Sequence, residues 1–452
     1  MQVATDTVAS WSGNRPDVTG HFQLDAEAHS KFWRHGGDLL ASLPEKPNRN
    51  PEQTRAAETI LRVGRESREA FMGRHVEAVY RALTGNQSHF VRAEELVYAA
   101  ADLVHGLTPT RAQVAAQSKK PQRDKDGIEV DQGIFFAHVL AHPAAGAHFC
   151  HAMLLPKPES TARLAEFQAK GALDLGTAAV QRHGKASIVY LKNPRYLNAE
   201  DEATISETET AVDLAILDSS ELAVLRGDTV EHPKYRGRRV FSTGINLTHL
   251  YHGKISYLWY ITREMGFVNK MMRGLARPDA NPDEVYGGTI EKPWVAAVEA
   301  FAIGGGCQYL LTMDYVVAAN DAYMTLPARK EGIIPGAANM RMWRFTGDRI
   351  ARQAIMVGRR LDCDTPEGRM VCDEIVAPGE MDAALTRVIA SFTDSGVVSA
   401  AGNRRAFRVA QEPLDLFRRY MAVYAREQAY CHFSPALISN LERHWNAQQR
   451  KI

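Results

Sequence analysis

Apolar residues recur every three to four positions along the first third of the chain. In residues 51–83 they run through Ala56, Ile60, Leu61 and Val63, then Phe71, Val76, Val79, Tyr80 and Leu83. That spacing predicts helices, opened at Pro51 and stopped at Gly85-Asn86. Residues 94–104 and 160–180 share the period. No stretch between 26 and 180 alternates as a half-buried strand would. The first 25 residues are polar, with Gly and Pro, and are expected to form a loose arm.

Near residue 184 the pattern changes. Ala186–Leu191 is a short β-rich run that ends at Asn193-Pro194. Further strands are predicted at 238–242, Trp294–Val298, 314–319 and 322–326, with helices at 203–217, 250–275, 349–357 and 382–391. Strands alternating with helices indicate an α/β domain. From about residue 400 the period is helical again, with Phe407, Phe417, Tyr420, Tyr424 and Tyr430 along it. The expected division is a helical N-terminal domain at 1–183, an α/β core at 184–399 and a helical C-terminal segment at 400–452.

Composition narrows the function classes. Lys and Arg number 54 against 53 Asp and Glu, with no basic tail. That excludes nucleic acid or an anionic membrane as the main partner. No apolar run reaches the ~18 residues of a spanning helix. The opening residues, Met1 to Asp6, lack the basic and apolar regions of a secretory leader. The cysteines, Cys150, Cys307, Cys363, Cys372 and Cys431, are odd in number, scattered and without a C-x-x-C. Neither a disulfide framework nor a zinc-thiolate site is expected, and a cytoplasmic setting follows.

Two local patterns carry candidate chemistry. His138, His142, His148 and His151 cluster beside Cys150, and the first two share a helix face. The Glu of a His-Glu-x-x-His protease is missing, so packing or interface histidines are expected rather than a metal site. The second pattern is Gly304-Gly305-Gly306, between the strand Trp294–Val298 and a helix that includes Gln308. Three glycines at such a junction let a ligand approach the backbone and meet free N–H groups. A tight structural turn has the same composition.

Order along the chain distinguishes these readings. Asn193-Pro194-Arg195-Tyr196-Leu197-Asn198-Ala199, then Arg239-Val240-Phe241-Ser242-Thr243-Gly244-Ile245-Asn246-Leu247, then Lys292-Pro293-Trp294 with the glycine triplet, then Ile334-Pro335-Gly336-Ala337 follow one another between 184 and 380. In that order they resemble the crotonase (enoyl-CoA hydratase/isomerase) superfamily. The resemblance implies a spiral of ββα units, assembled as trimers or pairs of trimers. It also implies an oxyanion hole made by the backbone N–H groups of Ile245 and Gly305, with Gly306 the weaker choice. Arg195, Asn198, Ala199 and Arg239 fall where relatives contact coenzyme A.

The departures from the family pattern are as informative. A hydratase uses two glutamates as acid and base. Here those positions hold Gln308 and Ala328, which cannot move protons at neutral pH. Glu331, three residues on, is expected to be ion-paired beside Arg329 and Lys330. The helical extension and this substitution pair resemble a branch of cofactor-independent oxygenases of glycopeptide-antibiotic precursor pathways. That branch turns an arylacetyl-CoA and O2 into an arylglyoxylate and CoA, with no metal or flavin. The resemblance then implies Arg263, Gln308 and Glu200 as the groups that bind ring hydroxyls. It implies Ile333, Ile334 and Pro335 as an apolar wall for O2. Arg263 pairing with Glu264 at the surface, and Glu200 as a first-turn helix acid, are the plainer readings. Other crotonase-type hydrolysis, isomerisation or decarboxylation, a non-catalytic CoA-binding subunit, and a metal oxygenase built on the histidines complete the alternatives.

Overall fold

The structure is a computed structural model that describes residues 5–286 and 288–452. Its strands, in chain order, are β1 Ala172–Asp174, β2 Ala178–His183, β3 Ala186–Leu191, β4 Leu222–Gly227, β5 Leu275–Ala276, β6 Thr289–Ile290, β7 Trp294–Val298, β8 Phe301–Ile303, β9 Tyr315–Ala319, β10 Tyr323–Thr325, β11 Leu361–Asp362 and β12 Glu374–Val376. Seven of them form one sheet in the order β1-β2-β3-β4-β7-β9-β12. From β3 to β12 every pairing is parallel. A parallel sheet is covered on both faces, so its central strands are largely apolar. All five residues of β7 are accordingly buried. A small second sheet, β11-β10-β8, stands beside it, and β5 pairs with β6.

The fold class is the expected one: an α/β core of the crotonase type between helical N-terminal and C-terminal regions. Several elements differ from expectation. The arm is helical: Thr5–Gly13 and Phe22–Ala41 are helices, held by Trp11 stacked on Phe32 at 4.5 Å between ring centres. Residues 1–4 of the arm lie outside the described residues. Residues 51–83 form one helix, Pro51–Leu83, capped by Asn50 through a reciprocal bond with Gln53. The expected helix at 160–180 ends at Gly171 (φ 70°), and β1 and β2 follow. The sheet thus begins before residue 184.

Residues 238–242 are extended but make only isolated bridges, through Arg239 and Ser242. The region 250–275 is not one helix. Tyr257–Arg263 passes into a π turn, Glu264–Val268, then into Asn269–Arg273. The break is at Gly266 (φ −86°, ψ −117°), against the Glu209 carboxylate. Glu209 is committed there to the buried Lys270, at 2.7 Å, and to Arg92, at 2.6 Å.

Two cores result. One packs around the sheet. The other joins the N-terminal helices, the segment from Leu250 to Met265, and the C-terminal helices Leu414–His432 and Pro435–Trp445. No helix among the described residues is long and apolar enough to cross a membrane.

Candidate active site

Backbone hydrogen bonds build the site from two loops. Gly244 N–H donates to Ser242 Oγ at 3.0 Å, and Ser242 Oγ donates to Asn198 O at 2.9 Å. Glu200 N–H donates to Gly244 O at 2.8 Å, and Asn246 N–H to Glu200 O at 2.7 Å. The second loop is stitched to the first by Ile303 N–H to Ser242 O at 2.9 Å. A helix, Gly305–Leu310, leaves this loop at Gly304 (φ 53°). Among the described residues, neither Ile245 N–H nor Gly305 N–H donates a hydrogen bond.

The loops nearly touch. Gly244 has φ 71°, and a Cβ there would lie 2.5 Å from Gly305 N. A Cβ on Gly305 would lie 2.0 Å from Glu200 Oε1. Glycine is required at both positions because backbone and carboxylate occupy the space a side chain would need. Gly306 faces the Ser242 backbone and does not line the cavity.

Ile245, Gly305, Gln308, Arg263, Ile333, Ile334 and Pro335 all line one inner cavity. Its free volume is about 20 Å³, enough for one water-sized molecule. An aryl ring needs roughly 150 Å³, so ring binding requires wall residues to move.

Arg263 is 2% exposed, not at the surface. Its Nε donates to Glu200 Oε2 at 2.5 Å, and its Nη2 to Glu200 Oε1 at 3.1 Å and Gly305 O at 3.2 Å. Its Nη1 donates to Gln308 Oε1 at 2.7 Å and to Glu264 Oε1. All five N–H groups are therefore committed within the protein. Burial opposes its charge, but Glu200, Tyr309 and Glu264 hold its pKa well above the usual value. The Tyr309 ring lies 4.9 Å beneath it. Arg263 thus positions acceptors. Among the described residues, the Gln308 amide nitrogen donates no hydrogen bond.

Glu200 stands behind Arg263, outside the cavity wall. Two carboxylates stand on the wall, that of Glu331 and that of Glu264, which also accepts Ala337 N–H at 3.2 Å. Gly304, Gly336, Trp259, Tyr260, Ala328, Glu331 and Tyr424 complete the lining. Trp259, Tyr260 and Tyr424 carry no motif. Tyr424 comes from the C-terminal helix, whose Gln428 Oε1 accepts Ile334 N–H at 2.8 Å and whose Tyr420 hydroxyl donates to Gly336 O at 2.5 Å.

Glu331 departs from its expected pairing. It is 3% exposed and makes no ion pair or side-chain hydrogen bond among the described residues. Arg329 instead donates to Met356 O. Burial pushes the Glu331 carboxyl up to about 7.

An outer cleft of about 480 Å³ opens beyond, lined by Arg195, Ala199, Ile245, Tyr235, Tyr323 and Arg450 among others. Asn198 is not on its wall. Its amide nitrogen donates to Asp228 O and Val240 O, both at 2.8 Å. Arg239 is also engaged elsewhere, with Asp228 at 2.9 Å. The four histidines are committed separately. His138 binds Glu69 at 2.7 Å, and His142 caps the helix Pro143–Leu154. His148 binds Tyr80 at 2.8 Å, and His151 binds Arg277 O at 3.1 Å. No group of three metal-ligating residues occurs among the described residues.

Two backbone loops thus converge beside the parallel sheet. The family profile "Enoyl-CoA hydratase/isomerase" matches residues 278–419. A probable enoyl-CoA hydratase of Rhizobium meliloti is 26% identical over 56% of this chain and 91% of its own. A solved enoyl-CoA hydratase/isomerase from Xanthobacter autotrophicus Py2 superposes with a TM-score of 0.49 at 18% identity, over 61% of this chain and 96% of its own. The (3,5-dihydroxyphenyl)acetyl-CoA 1,2-dioxygenase of Amycolatopsis orientalis is 44% identical over 90% of this chain and 92% of its own. The chain belongs to the enoyl-CoA hydratase/isomerase superfamily and, within it, to the family of that dioxygenase.

Proposed function

We propose that this chain is a metal- and flavin-free dioxygenase that converts (3,5-dihydroxyphenyl)acetyl-CoA and O2 to 3,5-dihydroxyphenylglyoxylate and CoA. The observation that carries this reading is the wall of the inner cavity. Gln308 and Ala328 stand where hydration needs carboxylates, beside the apolar Ile333, Ile334 and Pro335. The relative from A. orientalis, similar over nearly the whole chain, supports the substrate.

CoA lies in the outer cleft, with Arg195 and Arg450 for its phosphates, and the acyl group enters the inner cavity. Loss of an α-proton leaves a carbanion delocalised into the thioester and the ring. Its oxyanion is held by Ile245 N–H and Gly305 N–H, each worth about 3–4 kcal/mol in a dry site. Glu264 and the Gln308 amide meet the ring hydroxyls, with Arg263 and Glu200 holding both in place. The carbanion passes one electron to O2, the two radicals combine, and the peroxide attacks the thioester carbonyl and expels CoA thiolate. Cleavage of the O–O bond and loss of the second α-proton give the keto acid. The product belongs to the route to dihydroxyphenylglycine in glycopeptide antibiotics, and the enzyme works in the cytoplasm as a homo-oligomer.

Anaerobic incubation with free-thiol detection tests the reading. CoA release is expected to need O2 and to survive chelation. Release at the same rate without O2 favours a hydrolase. Loss on chelation with recovery on iron favours a metal oxygenase. No release from any aryl-CoA ester, despite tight CoA binding, favours a binding subunit.

A further inference from the structure

Among the described residues, only two stand in the walls of both the inner cavity and the outer cleft: Ile245 and Glu331. They mark the junction where a thioester spanning the two spaces places its reacting atoms. The carbonyl oxygen lies at Ile245 N–H, and the α-carbon is one bond from that carbonyl. On the reading given above, we propose that the Glu331 carboxylate is the base that takes the α-proton.

The side chain is held for such a role. Glu331 ends a single helical turn, Ala328–Glu331, with its N–H on Pro327 O at 3.1 Å. Gly332 follows at φ 84°, and a Cβ there would come 2.9 Å from Leu437 Cα, so the helix Pro435–Trp445 clamps the turn. Ala328, which cannot transfer protons, stands three residues earlier on the same turn. The carboxylate has no cation or donor among the described residues, although it is buried. A buried polar group left unpartnered in a cleft marks a functional candidate.

The surrounding groups leave it so. Tyr260 carries a phenol kept protonated by burial and by Glu331 itself. His432, 3.3 Å from that phenol, is held neutral by burial. Arg263 is committed to Glu200 and Glu264. The Tyr424 phenol is protonated through burial. A carboxyl titrating at about 7 is suited to proton abstraction at neutral pH.

In the step, a Glu331 oxygen takes the α-hydrogen as a proton. The C–H electron pair forms the enolate double bond, and the carbonyl electrons move onto the oxygen facing Ile245 and Gly305. The carboxylic acid then returns its proton to water through the outer cleft.

The test is α-hydrogen exchange of (3,5-dihydroxyphenyl)acetyl-CoA in D2O without O2, with O2 uptake measured separately in air. Glu331→Gln is expected to exchange at least about a hundredfold more slowly, with CoA affinity unchanged. Wild-type exchange should rise with pH through about 7 and level off. Glu331→Gln should lose that limb, and Glu331→Asp should keep it at a lower rate. A Glu331→Gln protein that exchanges at the wild-type rate, or keeps the limb, overturns the inference and leaves the dioxygenase reading standing if O2 is consumed. Glu331-dependent exchange by a wild-type protein that consumes no O2 supports the base and removes the dioxygenase. Absence of both wild-type reactions overturns both.

Discussion

At the residue scale, burial sets the value of each charge. Glu331 has a folded pKa near 7, above its unfolded value, because nothing offsets its desolvation. Its proton therefore favours folding: that stability is fully present below about pH 4.5 and is lost as pH rises through 7. Glu331→Gln should be more stable than wild type at pH 8 by about 3 kcal/mol, with the difference closing toward pH 4.5. Denaturant midpoints at the two pH values check this. Arg263 is the opposite case. Arg263→Ala leaves Glu200 and Glu264 buried without their cation, a loss of about 3–5 kcal/mol. Its melting temperature should fall, and recognition of the ring should weaken more than CoA binding. An unchanged rate with the dihydroxyphenyl substrate would remove Arg263 from the site. Gln308→Glu should not create an efficient hydratase, because Ala328 still lacks the second carboxylate; a crotonyl-CoA hydration assay decides it. The family resemblance named both Arg263 and Gln308. It gave no sign that Arg263 commits every donor internally, or that Glu331 is unpaired, because both facts depend on neighbours distant in the chain.

At the element scale, the site is two loops that need each other. The unspent N–H groups of Ile245 and Gly305 are a property of backbone register, and Glu200 fixes that register through its own N–H and C=O. Gly305→Ala places a methyl group 2.0 Å from Glu200 Oε1, which displaces the loop. Turnover should fall by about a hundred- to a thousandfold, the worth of one oxyanion donor, while CoA binding persists. The glycine and Pro-Gly motifs made these loops legible, since close approach demands those residue types. The break at Gly266 was not legible. Its surroundings are apolar at helical spacing, and the break answers to Glu209 and Lys270, whose pairing arises only in the fold. Strands β1 and β2 were hidden for a similar reason: they are short and follow directly on the helix that ends at Gly171.

At the scale of the whole molecule, the cavity lies where the sheet core meets the helical core. The C-terminal helix Leu414–His432 supplies Tyr424 to the wall and holds the Ile334–Gly336 loop through Gln428 and Tyr420. Residues near Glu412 tie this helix to the core. Glu412 accepts from Arg341 at 2.8 and 2.9 Å and from Arg344 at 2.9 Å. Burial opposes its charge, but Arg341 and its neighbours lower its pKa to about 2. That stability is present above about pH 4.5 and is lost as pH falls toward 2. Glu412→Gln should therefore lose about 3 kcal/mol at neutral pH and show a flatter acid limb in thermal melts. Periodicity alone identified a helical tail with aromatics, but which surface it covers depends on tertiary packing.

The central claim, that one dry cavity joins a thioester carbanion to O2, is tested most directly with ¹⁸O2. Purified protein is incubated with (3,5-dihydroxyphenyl)acetyl-CoA in unlabelled water, and the keto acid is reduced at once to prevent exchange. One O2 is expected to be consumed per CoA released, with both labelled oxygens in the product. Unlabelled arylacetate with free CoA would contradict it.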